Sequence, residues 1–181
     1  MILTPSSSHR NDIGWRDKLE SYIEAKIGIK SIYKEYLYNY PLLTNMGMDS
    51  GTEGDEGEKL KVLIADASTF MCIMLTAALE KLNYEVIGTS KDGNDAIEKY
   101  MEQKPDIVLV DPALKEKDGI EVTRIITTDN PATVVLVLLA GTDSDPDIIV
   151  ESVRAGARGY IKLPVTEAEI KARLESALKL E

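Results

Sequence analysis

The stretch Leu60-Lys61-Val62-Leu63-Ile64-Ala65-Asp66-Ala67-Ser68-Thr69 decides the fold. An apolar run of strand length, Leu60 to Ala65, stops at an acid and is followed by residues of helix-capping type, Ser68 and Thr69. From Thr69 to Leu82 the sequence then reads as a helix. The same unit recurs. Strands are expected at Tyr84 to Gly88, Ile107 to Val110, Thr133 to Leu139 and Arg158 to Ile161, and helices at Asn94 to Gln103, Ile120 to Thr128, Pro146 to Ala155 and Glu167 to Leu180. The last helix opens on Thr166 with Glu169 three residues on, the spacing of a capping box, and Gly156 follows the fourth helix as a terminator.

Five strand-helix repeats over residues 59–181 predict an α/β domain, a five-stranded parallel sheet doubly wound with helices on both faces. Such a sheet presents its site at the carboxyl ends of the strands. Those positions are Asp66, Ala67 and Ser68 after the first strand, Asp111 and Pro112 after the third, Leu139 and Ala140 at the fourth, and Lys162, Leu163 and Pro164 after the fifth.

Residues 1–58 read differently. From Asp12 to Tyr40 the residues Trp15, Leu19, Tyr22, Ile23, Ile27, Tyr33, Tyr36 and Leu37 recur at spacings of three and four among Lys and Glu, one apolar stripe on a helix. Gly28 interrupts it at a cost of about 1 kcal/mol, and Pro41 ends it. Residues 44–58 are acidic and Gly-rich, which suits a linker. The expected organisation is a helical interaction segment over 1–43, a linker over 44–58 and the α/β domain over 59–181.

At 44% hydrophobic and 29% charged the chain has a globular composition. Its apolar runs are too short for a bilayer span, and no secretory signal is readable, so a cytoplasmic location is expected. The single cysteine, Cys72, has no partner for an internal disulfide and reads as a small core residue, and no Cys/His cluster offers zinc ligands. The only histidine, His9, sits in a Ser-rich start, which excludes histidine triads and histidine phosphotransfer. A net charge of -10 argues against nucleic acid as a partner.

Four stretches carry a resemblance: Val62 to Asp66, Pro105 to Asp111, Asp118-Gly119, and Ala155 to Ile161. Over Lys59 to Glu181 the chain resembles the CheY-like receiver domains of two-component response regulators. The resemblance implies a flavodoxin-like strand order 2-1-3-4-5. It also implies that Asp111 is the phosphoacceptor candidate, taking a phosphoryl group from a sensor histidine kinase with the help of Mg2+. The family supplies two adjacent acids after the first strand, and here Asp66 is followed by Ala67. The family's hydroxyl at the end of strand four aligns with Leu139, and its lysine at the end of strand five with Leu163. Lys162 is one residue off that lysine, and Thr142, Ser144 or Lys162 are the nearby side chains able to substitute. Pro112 lacks an N–H for a phosphoryl oxygen, and Lys115 stands where many receivers carry proline.

These departures lead to the expectation of a degenerate, pseudo-receiver-like site. Mg2+ would bind weakly if at all through Asp66 and Asp111, and no tightly bound cofactor or enzymatic activity is expected. Tyr160 aligns with the family's aromatic on the output face. Because the sequence stops directly after the fifth helix, output is expected through protein contacts rather than an effector domain. The expected partners are a histidine kinase or other signalling protein, and a second copy bound through the N-terminal helix or through the face of the fourth helix, fifth strand and fifth helix. The alternatives are a conventional regulator phosphorylated on Asp111 and, on a similar fold, an aspartate-nucleophile phosphatase. The latter would need a second acid where this chain has Ser68, and an FMN carrier would need glycine in the loop after the first strand.

Overall fold

The structure is a computed structural model that describes residues 58–140 and 146–179. The expected N-terminal helix, the linker up to residue 57, Thr142 and Ser144 lie outside the described residues. The elements are β1 (Lys61–Ala65), α1 (Thr69–Lys81), β2 (Glu85–Ser90), α2 (Gly93–Gln103), β3 (Ile107–Val110), α3 (Gly119–Asp129), β4 (Val134–Ala140), α4 (Pro146–Arg154), β5 (Gly159–Leu163) and α5 (Glu167–Leu178). The strands form one sheet in the order β2-β1-β3-β4-β5. Every pairing is parallel, with Val62 opposite Ile107, Ile107 opposite Val134 and Leu136 opposite Gly159. The expected α/β architecture and strand order are both present.

The central strands are apolar on both sides because both sides are covered. All of β3 is buried, as is β4 up to its last residue. On one face Leu63, Ala65, Val108, Val110, Val135, Val137 and Leu139 join Ala96 and Tyr100 of α2 and Val122 and Ile126 of α3 in one core cluster. Alternation turns Val62, Ile64, Leu109, Leu136, Leu138 and Ile161, all buried, to the other face, where α1 and α5 supply Leu75, Leu79, Ile170 and Leu174. Each large aliphatic side chain buried in these layers stabilises the fold by about 1.5 to 3 kcal/mol before entropy.

Helix starts are capped by short side chains. Ser68 Oγ accepts the N–H of Met71 at 3.3 Å, Asp92 Oδ1 that of Asp95 at 2.9 Å and Asp118 Oδ1 that of Glu121 at 2.8 Å. At α5 the capping box is complete: Thr166 Oγ1 accepts the Glu169 N–H at 3.3 Å, and Glu169 Oε2 accepts the Thr166 N–H at 2.8 Å. These starts lie at the carboxyl ends of the strands, where they hold the loops that make the site.

One boundary differs from expectation in a way that matters. β5 continues past Ile161 to Leu163, with Lys162 opposite Leu139 and Leu163 opposite Ala140. The polar Lys162 does not end the strand because β5 is an edge strand, and Lys162 stays exposed between buried Ile161 and Leu163.

Candidate functional site

Asp66 is the first residue after β1 and Asp111 the first after β3, and the pairing of those two strands brings them together. The Asp66 N–H donates to Ser90 C=O at 2.9 Å, and its carboxylate Oδ1 accepts the Ser68 N–H at 2.7 Å. The Asp111 N–H donates to Ala65 C=O at 2.8 Å, and Oδ1 accepts the Ala113 N–H at 2.9 Å. Both carboxyls therefore hang from the last rungs of the sheet, each steadied by one backbone donor two residues on.

Burial pushes the Asp66 carboxyl above the usual range. The Ser68 N–H pulls it down, and the charge of Asp111 pushes it up again. Burial likewise raises Asp111 against the opposing pull of the Ala113 N–H. Two acids that are costly to ionise side by side form a cleft that favours a proton or a cation. Mg2+ is commonly held by one or two carboxylates with water completing its shell. The donors here fit that ion in kind, with Asp66 and Asp111 as the residues that would hold it, but they are sparse. Both neighbours of Asp66 are alanine: Ala65 is fully buried in the core cluster and Ala67 is exposed. Among the described residues no group of three or more His, Cys, Asp or Glu gathers as a metal site would.

At the ends of β4 and β5 the other predicted positions are buried leucines and an exposed lysine. Leu139 and Leu163 are each 4% exposed, and Leu139 belongs to the core cluster. Lys162 keeps regular strand register and borders an open groove of about 450 Å³ with Val165, Glu169 and Arg173. Tyr160 is half-buried against the core cluster, with the Arg173 guanidinium 5.2 Å from its ring centre. Cys72 is buried, as expected of a core residue, and its thiol donates to Asp66 C=O at 3.3 Å. Burial first, and then the charge of Asp66, push that thiol up to about 11, so it stays neutral at physiological pH.

The loop after Asp111 is fastened from two sides. Gly119 N–H donates to Pro112 C=O at 3.1 Å, and Gly93 N–H donates to Lys115 C=O at 3.0 Å, where Asp92 and Lys115 form an isolated bridge. A Cβ on Gly119 would run into the Asp111 carbonyl, and one on Gly93 into the Lys117 carbonyl. Glycine is required at both places by close backbone approach rather than by φ. Sequence reading overlooked Gly93 and the Lys115 bridge, although the repeated Lys-Asp-Gly at 91–93 and 117–119 was their signal.

Comparison with known proteins places this geometry. Residues 62–175 match the response regulator receiver domain. The chain is 33% identical over 120 residues to the chemotaxis protein CheY of Thermotoga maritima, covering 66% of this chain and 98% of that one. It is 34% identical over 122 residues to the transcriptional regulatory protein ZraR of Klebsiella oxytoca, covering 67% of this chain and 27% of that one. Among solved structures, the response regulator domain of Thermotoga maritima CheB superposes with a TM-score of 0.61 at 28% identity, over 68% of this chain and 99% of that one. The signal receiver domain of NarL from Mycobacterium tuberculosis gives 0.62 at 28% identity, again over 68% and 99%. Among the described residues no helix is long and apolar enough to cross a membrane.

Proposed function

Because this chain belongs to the response regulator receiver family, and so carries a receiver module of two-component signalling, we propose that it is a receiver whose phosphoryl switch is weakened. In this reading it works as a docking platform held in one state, signalling by contact with a histidine kinase or another signalling protein. Asp111 is the acceptor candidate and Asp66 its acidic neighbour.

The observation that carries the reading is the pair of buried leucines, Leu139 and Leu163, at the carboxyl ends of β4 and β5. A phosphoryl group on Asp111 would bring oxyanions into the cleft, and these need donors. Neither leucine side chain has one, Pro112 has no N–H, and the Ala113 N–H is already bound to the Asp111 carboxylate. With no donor on either leucine for the added group, loading Asp111 would pull little on β4 or β5 in this reading. Mg2+, when bound, would offset phosphoryl charge. With only Asp66 and Asp111 as side-chain ligands, its affinity is expected to be low. The chain itself would then steady the acceptor through the Ala113 N–H.

The test is a titration of the full chain with Mg2+ and beryllofluoride, followed by backbone amide NMR. Shifts confined to the neighbourhood of Asp66 and Asp111, saturating only at millimolar metal, are expected. A second conformation spreading into β4 and β5, together with full phosphorylation of Asp111 by acetyl phosphate in mass spectrometry, would replace this reading with that of a conventional regulator. In the weakened case, Leu139→Thr with Leu163→Lys restores donors and should increase the response to beryllofluoride.

A further inference from the structure

A half-buried aromatic on an edge strand ordinarily has rotamers to choose between, one against the core and one toward solvent. At Tyr160 both choices are restricted. With Val137, Leu139, Ile149 and Ser152 the side chain lines a space of only about 10 Å³. That is scarcely one water molecule and far too little for a phenol ring. Val137 is the strand partner of Tyr160, and Leu139, two residues further along β4, is buried in the same core cluster. Above the ring the Arg173 guanidinium lies 5.2 Å from its centre, within cation–π range.

Arg173 is itself placed by its own helix. Glu169 stands one turn earlier, and the two charges attract each other. The Glu169 carboxylate is fixed by the Thr166 N–H at 2.8 Å and the Thr166 hydroxyl at 2.7 Å. The α5 cap thus fixes a negative charge one turn before Arg173, whose guanidinium in turn lies over Tyr160.

We propose that Arg173 is a positioning residue that pins the Tyr160 ring, so that the face of β5 and α5 presents one constant side-chain arrangement whatever occupies Asp111. This deepens the reading of a receiver held in one state, and its signalling consequence rests on that reading. The pinning itself is a property of the unmodified chain and is tested separately.

The experiment uses the full chain with ring-labelled tyrosine, the Tyr160 signal being assigned by its loss in Tyr160→Phe. In the unmodified protein the ring should show contacts to the Arg173 side chain and a single environment. Arg173→Ala should shift the ring signal and change its rotamer populations about two- to five-fold. Arg173→Lys should restore part of the effect, while the melting temperature stays nearly constant. Two exchanging ring environments in the unmodified protein, or ring signals that Arg173→Ala leaves untouched, would overturn the proposal. A Tyr160 ring that holds still while beryllofluoride reshapes the rest of the β4 and β5 region refutes the functional reading and leaves the pinning intact.

Discussion

The two ends of the sheet treat the same residue type in opposite ways. At the amino end, Asp106 Oδ2 accepts the Lys61 N–H at 2.7 Å, and Asp129 Oδ2 accepts the Tyr100 hydroxyl at 2.8 Å and Lys104 Nζ at 3.2 Å. Lys104 also lies 5.0 Å from the Tyr100 ring centre, and Arg158 Nη2 donates to Pro131 C=O at 3.0 Å. Tyr100 first, then Lys104, hold the Asp129 carboxyl below the usual carboxylate range. At the carboxyl end, burial holds Asp66 and Asp111 above it. One end pairs its acids with partners from within the chain, and the other holds two acids whose ionisation burial opposes. The difference teaches where stability and where chemistry reside in this molecule.

The harshest way to break the contrast is to attack the backbone that supports the acids rather than the acids themselves. Gly119→Ala places a methyl against the Asp111 carbonyl. Backbone cannot rotate away as a side chain would, so urea unfolding should show a net loss of about 2 to 3 kcal/mol, despite alanine's better helix propensity. A variant of unchanged stability would mean that the acceptor loop is not held as described.

Removing the acids should have the opposite sign. A carboxyl whose folded pKa is raised contributes stability that is fully present below its unfolded pKa and lost as pH rises through the folded value. At neutral pH Asp66 and Asp111 therefore cost stability. Asp66→Asn keeps an acceptor for the Ser68 N–H and should raise the melting temperature near pH 7, as should Asp111→Asn. The gain should fade as the pH falls through the raised folded value and be gone below about 4, the ordinary aspartate range. A neutral-pH loss in both variants would show that the cleft is not electrostatically strained.

The smallest effect sharpens the contrast from the other side. Asp129 has a lowered pKa, so its contribution is present above the unfolded value and lost as pH falls through the folded one. Asp129→Asn should slightly lower the melting temperature at pH 7 and make no difference in strong acid. Because the pair is exposed, added salt should shrink the effect further. A rise at pH 7 would erase the distinction between the two ends.

How much of this could be read in the residues follows from the range of each signal. Strand and helix spans carry local periodicity, and Thr166 with Glu169 is a three-residue pattern, so those readings came within a residue or two of the structure, as at β1 and α1. Asp66 and Asp111 were visible because each directly ends an apolar run. Contacts made across the fold have no such local mark. Tyr100 with Asp129 joins two helices, Tyr160 with Arg173 joins a strand to a helix, and neither pair shares a spacing that periodicity would detect. Lys162 illustrates the intermediate case: its polarity suggested a strand end, whereas backbone pairing on an exposed edge continues past it. The N-terminal stripe and Thr142 lie outside the described residues.

The strand order carries a consequence for how the molecule assembles. β1 and β2 lie on one side of the β1–β3 seam and β3, β4 and β5 on the other, and Asp66 and Asp111 stand at the top of that seam, one from each side. The seam joins more distant parts of the chain than the strand–helix–strand crossovers on either side of it, so its closure costs somewhat more loop entropy. The mutual push between the two acids exists only once the seam has closed. Acid titration of Asp66, raised first by burial and then by Asp111, therefore reports on the joined halves, and a chain split between α2 and β3 should recover the full shift when its two fragments recombine.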